Sequence, residues 1–145
     1  MAMKIKQVSI FIENKAGTLS APCKLLSDAG INIVTLCLAD TNDFGIMRLI
    51  VKDWQKAKKL LESKDYAVKI TDVVAIEVED RPGGLASILS VLEKSKLNVE
   101  YMYAFTSGKN GRAVLVFCFE NPDEAVQILS SKGINVLGET HIFQK

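Results

Sequence analysis

The chain has 145 residues, 48% of them hydrophobic and 24% charged, which suffices for one ordinary domain or two small ones and excludes a disordered tail. Its 18 basic and 17 acidic residues give a net charge of +1. Counted through residue 72 there are 11 basic and 8 acidic residues, then 7 and 9, so neither half has the charge footprint of a phosphate-tracking surface.

In chain order, a first strand is expected over Gln7 to Glu13, with Val8, Ile10 and Ile12 alternating. The turn Asn14-Lys15-Ala16-Gly17-Thr18 leads to a helix from about Thr18 to Ala29. Its inward stripe is Leu19, Cys23 and Leu26, and Pro22 falls in the first turn, where a missing N–H costs little. Two strands follow around the loop Asp40 to Gly45, and a second helix covers Trp54 to Ser63. A strand near Tyr66 to Thr71 closes the series.

The series then begins again. Ile12 to Leu19 aligns with Val78 to Leu85 at a shift of 66, which also pairs Leu26 with Leu92, Asn32 with Asn98 and Gly45 with Gly111. Two extra residues raise the shift to 68, where Ala57 to Leu61 matches Ala125 to Leu129. The second copy therefore has a strand Val73 to Glu79 and the turn Asp80-Arg81-Pro82-Gly83-Gly84. A helix from about Leu85 to Ser95 follows, with inward Leu85, Leu89 and Leu92. Two strands around Ser107 to Gly111 come next, then a helix Asp123 to Ser131 capped by Asn121 with Pro122 first. A last strand is expected near Val136 to Phe143. The chain reads as two units, 1–71 and 72–145.

The order strand–helix–strand–strand–helix–strand, twice, predicts an α+β protein. Two ferredoxin-like βαββαβ units would sit side by side, with antiparallel sheets and helices on one face. Met47, Leu49, Val51 and Ala113, Leu115, Phe117 should face the helices. The opposite parity, Ile46, Arg48, Ile50 and Arg112, Val114, Val116, is too apolar to stand in water. A sister copy or a second chain should cover that face or a sheet edge, so a homodimer is one expectation.

Catalytic chemistry is sparse. The single His141 reads as a surface or packing residue near the end of the last strand. Cys23, Cys37 and Cys118 lack metal-ligand spacing and read as buried thiols of a reducing cytosol. No apolar run approaches the roughly 18–20 residues of a membrane span, and Met1 to Ile12 is no secretory signal, so a cytoplasmic protein is expected. Neither a metal nor a cofactor is expected.

The glycine turns are the best local feature. Each opens a helix whose first N–H groups suit a small carboxylate. Asn14 or Asp80 can accept from an ammonium group, and Asn32 and Asn98 begin the neighbouring strand. The plain alternative stays open: Gly17 and Gly83 make tight turns, Asn14 and Asp80 cap helices, and Asn32 and Asn98 end loops.

Glu79-Asp80-Arg81-Pro82-Gly83-Gly84-Leu85 with Lys96-Leu97-Asn98-Val99, repeated as Glu13 to Leu19 with Gly30-Ile31-Asn32-Ile33, resembles the ACT domain, twice over. The resemblance implies an amino acid or other small effector bound between two copies, where the turn of one meets the second strand of its neighbour. In the first copy it implies Asn14, Ala16, Gly17, Thr18 and Leu19 at the ligand's polar end and a wall of Asn32, Ile33, Val34 and Leu36. In the second it implies Asp80, Pro82, Gly83, Gly84 and Leu85, with Asn98, Val99, Glu100, Tyr101 and Met102. Ala16 departs from the usual proline, Asp80 replaces Asn14, and Glu100 and Tyr101 replace Val34 and Thr35, so two sites of unequal affinity, or one functional site and one degenerate one, are expected.

Among alternatives, an RNA-recognition sheet fails on parity, because Phe117 and Phe119 share the helix-facing phase of Leu115. An acylphosphatase-like enzyme would use Arg81 to hold an anion. A structural dimerisation module needs only the apolar face and edges. The expected function is a non-enzymatic regulatory sensor of a free amino acid, acting allosterically on a partner protein.

Overall fold

The computed structural model describes residues 3–40, 43–105 and 110–143, which form seven strands and five helices. Thr41 and Asn42 of the first expected loop, and Ser107, Gly108 and Lys109 of the second, lie outside the described residues. In chain order the elements are β1 (Ile5–Glu13), α1 (Ser20–Asp28), β2 (Ile33–Asp40), β3 (Phe44–Val51), α2 (Trp54–Ser63) and β4 (Val68–Glu79). There follow α3 (Gly84–Lys94), β5 (Val99–Ala104), β6 (Arg112–Phe119), α4 (Pro122–Ser131), β7 (Val136–Leu137) and α5 (Glu139–Ile142). The strands expected at 66–71 and 73–79 are one continuous strand, β4.

The chain divides into two compact units, Lys6–Thr71 and Met1–Ile5 with Asp72–Lys145. Met3 to Ile5 thus belong with the second repeat, whereas the sequence pattern groups them with the first. Met3 packs against the second core and Lys4 pairs with Asp123 at 2.9 Å and Asp72 at 3.7 Å.

In the unit Lys6–Thr71, β3 lies between β2 and β1 and pairs antiparallel with both. Phe11 N–H donates to Ala67 O at 3.3 Å, which brings the start of β4 alongside β1. The second unit repeats this: β6 lies between β5 and β4, and β7 pairs with the other edge of β4. Both are the strand order of a ferredoxin-like sheet.

Met47, Leu49 and Val51 join Leu26, Ala57 and Leu61 in the first core, so the expected parity of β3 is met. Leu115 and Phe117 do the same with Leu92, Ala125 and Leu129 in the second, with Ala113 packed beside them. Each such aliphatic or aromatic side chain contributes roughly 1.5–3 kcal/mol by leaving water. On the opposite parity Ile50 and Val116 have no exposed surface.

Two expectations about helices are corrected. Leu26 and Leu92 are buried, but Leu19, Leu85 and Leu89 are exposed and Cys23 is only half-buried. The inward side of α3 instead runs through Gly84, Ile88, Val91 and Leu92. This helix is apolar around more than half its circumference, so spacing alone admits two stripes. The strand expected over Val136 to Phe143 stops at Leu137. Gly138 breaks the alternation, and α5 follows with Ile142 buried as its anchor and His141 exposed. His141 therefore sits on a short helix, not at a strand end.

Candidate functional site

The turn after β1 is built by its own backbone. Lys15 N–H donates to Glu13 O at 3.0 Å, Thr18 N–H to Lys15 O at 3.3 Å, and Ala21 N–H to Gly17 O at 3.4 Å. Gly17 has φ +89°, a conformation that costs a residue with a Cβ. The second turn has the same bonds at a shift of 66: Arg81 N–H to Glu79 O at 3.0 Å, Gly84 N–H to Arg81 O at 3.0 Å, and Ser87 N–H to Gly83 O at 2.9 Å. Gly83 has φ +90°. The flanking charges repeat too. Lys15 pairs with Glu13 at 2.9 Å, and Arg81 pairs with Glu79. The hydrogen bond and positive charge of Arg81 hold the Glu79 carboxyl below its ordinary pKa.

The helix that each turn opens decides its chemistry. α1 and α3 start at Leu19 and Gly83 with no side-chain cap bond. α2 and α4 are capped, Asp53 accepting from Lys56 N–H and Asn121 from Glu124 N–H, each at 3.2 Å. The reading of Asn14 and Asp80 as helix caps is therefore corrected: the N-cap positions belong to Leu19 and Gly83. First-turn amides left without a side-chain acceptor, at the positive end of a helix, are suited to a small anion.

Asn14, Ala16, Gly17 and Leu19 are exposed around the first turn, with Thr18 half-buried. Asp80, Pro82, Gly83 and Leu85 are exposed around the second, while Gly84 is buried against Glu79. The turn residues of each copy are thus gathered in one place. The strand residues are not gathered with them. Glu13 pairs with Phe44 and Ile33 with Val51, seven residues apart along β3, about 23 Å at strand rise. Glu79 pairs with Arg112 and Val99 with Phe119, the same separation. Within one unit, then, Asn32, Ile33 and Val34, or Asn98, Val99 and Glu100, lie at the opposite end of the sheet from the turn.

A bulge shapes that second segment in both copies. The register slips between Ile33 and Thr35, and between Val99 and Tyr101, leaving Val34 and Glu100 as the extra residues. Val34 is half-buried; Glu100 is exposed, with its carboxylate 3.7 Å from Cys118 Sγ. Beyond the bulge Leu36 is exposed in β2, while Tyr101 and Met102 are half-buried in β5. Spacing gave no sign of the bulge, nor of the exposed Leu38 in β2 and Phe44 in β3, because a bulge leaves no period of its own in the sequence.

Among the described residues no three His, Cys, Asp or Glu side chains gather as a metal set, and no helix is long and apolar enough to cross a membrane. None of the three cysteines is in a disulfide; Cys118 is buried as expected, but Cys23 and Cys37 are only half-buried, which corrects their reading as buried thiols.

A family model described as an ACT domain pair matches residues 3–144. The solved protein BT0572 from Bacteroides thetaiotaomicron is 39% identical, with a TM-score of 0.91 over 99% of each chain. The ligand-free regulatory subunit of aspartate kinase from Thermus thermophilus shares the fold at 14% identity, with a TM-score of 0.62 over 90% of this chain and 93% of that one. An acetolactate synthase small subunit from Buchnera aphidicola is 32% identical over 79 residues, 54% of this chain. The chain covers half the length of that curated relative (50%).

Proposed function

Since the chain belongs to the ACT domain family and carries the domain as a pair, we propose that it is a non-catalytic regulatory protein that binds a free amino acid. The observation that carries this is the same turn built twice, bond for bond, each opening a helix without a side-chain cap while the other two long helices are capped. The amides at Leu19 and Gly83 take the carboxylate, and the side chains of Asn14 and Asp80 take the ammonium group. Asp80 carries a charge that Asn14 lacks, so the second turn holds an ammonium more tightly.

The separation of about 23 Å between turn and second strand supports a site completed by a neighbouring ACT unit, with the turn from one unit and the start of β2 or β5 from another. Occupancy then changes how units pack, and a partner protein in the cytoplasm reads that change. The small-subunit relative of acetolactate synthase favours a biosynthetic enzyme as that partner. No cofactor takes part. The ion pair between Arg81 and Glu79 occupies the cation that an acylphosphatase reading would need for its anion.

Thermal-shift screening against the twenty amino acids, followed by calorimetry on any that stabilise, tests the reading. One or a few ligands should raise the melting temperature. Asn14→Ala or Asp80→Ala should weaken binding of that ligand. A flat screen with silent calorimetry leaves a structural dimerisation module in its place.

A further inference from the structure

The shift of 68 lays α2 on α4, and their inward sides agree. Ala57 and Leu61 are buried in one core, Ala125 and Leu129 in the other. Their outward sides are opposite in charge. Lys52 becomes Glu120, Gln55 becomes Asp123, Lys56 becomes Glu124 and Lys59 becomes Gln127. From 52 to 59 there are four lysines and one aspartate; from 120 to 127 there are three carboxylates and no base. The helix keeps its buried positions while two exposed lysines become carboxylates. Lys58 pairs with Glu62 of its own helix at 2.9 Å, so the complementary charges are those of Lys52, Lys56 and Lys59 against Glu120, Asp123 and Glu124.

We propose that this chain associates with a second copy of itself through the basic face of α2 on one molecule and the acidic face of α4 on the other. On the basic face Asp53, Gln55, Lys56, Lys59 and Leu60 line a shallow, open hollow. Within their own units Lys56 Nζ donates to Ala29 O at 3.1 Å and Asp123 pairs with Lys4 at 2.9 Å. The exposed Lys52, Lys59, Glu120 and Glu124 provide the charges for the second copy. Exposed ion pairs are individually weak and screened by salt, so they set orientation and partner choice and make the association salt-dependent. The contact uses none of the residues assigned to the amino acid site, although Lys52 and Glu120 directly follow Val51 and Phe119, the register partners of Ile33 and Val99.

Sedimentation velocity at about 50 mM and about 500 mM salt tests this, with two double variants of the full chain. Lys52→Glu with Lys59→Glu makes both faces acidic; Glu120→Lys with Glu124→Lys makes both basic. The parent chain should associate at low salt and dissociate at high salt. Each double variant alone should associate at least about tenfold more weakly, since like charges now meet. An equimolar mixture of the two should regain the parent's association, because each acidic face then finds a basic one. Circular dichroism confirms that both remain folded. A parent chain that is monomeric at low salt, a double variant that self-associates like the parent, or a mixture that stays monomeric overturns the proposal.

Discussion

The hydroxyl of Thr18 reaches back to the carbonyl oxygen of Glu13 at 2.6 Å, sharing its proton with Lys15 O at 2.8 Å. At the equivalent place in the second unit Gly84 has no side chain, and a Cβ there would fall inside the contact distance of Glu79 O. The same carbonyl at the end of the first strand is met by a hydroxyl in one copy and by bare backbone in the other. Gly84→Ala should therefore cost about 3 kcal/mol or more, or prevent folding of that unit. Thr18→Val should cost only about 1 kcal/mol, the worth of one hydrogen bond. Urea denaturation of both variants checks the contrast; equal losses would contradict it.

The burial of α3 makes a second prediction. Leu92→Ala should lose about 2–5 kcal/mol, since it empties a core position. Leu89→Ser and Leu85→Ser, at positions of the same helix that are 38% and 39% exposed, should each cost less, about 1 kcal/mol. Large losses at 85 and 89 would restore the stripe that spacing alone suggests.

The side-chain caps of α2 and α4 can be weighed directly. Asp53→Ala and Asn121→Ala should each cost about 1 kcal/mol, because each leaves a first-turn amide without its acceptor. Replacement by Ser should recover most of that loss. Melting curves of the four variants measure it.

Acid should unlock the second turn. Arg81 holds the folded-state pKa of Glu79 below its ordinary value, chiefly by its hydrogen bond and then by its charge. A depressed carboxylate pKa contributes stability at pH above its unfolded value and loses it as pH falls through the folded one. NMR titration should give Glu79 a midpoint below an ordinary glutamate, and Arg81→Ala should raise it. The stability deficit of that variant should be present at neutral pH and shrink in acid. A deficit unchanged down to the lowest pH would place the role of Arg81 elsewhere.

Much of the architecture was legible because it rests on periodicity, which the repeat states twice. The alternation of Val8, Ile10 and Ile12 and of Val74, Ile76 and Val78 located the central strands, and the parity of Met47 and Phe117 followed from the same pattern. The turns were legible from Gly17 and Gly83. The misses lay where pattern is degenerate or long-range. α3 has apolar residues at 85, 88, 89, 91 and 92, so rotation is decided by packing. The bulges at Val34 and Glu100 sit in runs that read smoothly. The distance between turn and second strand is a property of sheet register, which no local spacing carries. Gly138 was the one visible warning that the last strand would be short.

The membership of Ile5 has a consequence for the order in which the molecule is made. Its side chain has no exposed surface, and Met3 to Ile5 belong with the unit that begins again at Asp72. On the ribosome, Lys6–Thr71 emerges with all its own strands and can close first. Ile5 emerges before any of it, yet most of the unit it belongs to is translated after it. At roughly 5–20 residues per second, Lys4 waits some seconds for Asp123 to be synthesised. Met3 to Ile5 precede Lys6–Thr71 in synthesis and follow it in packing.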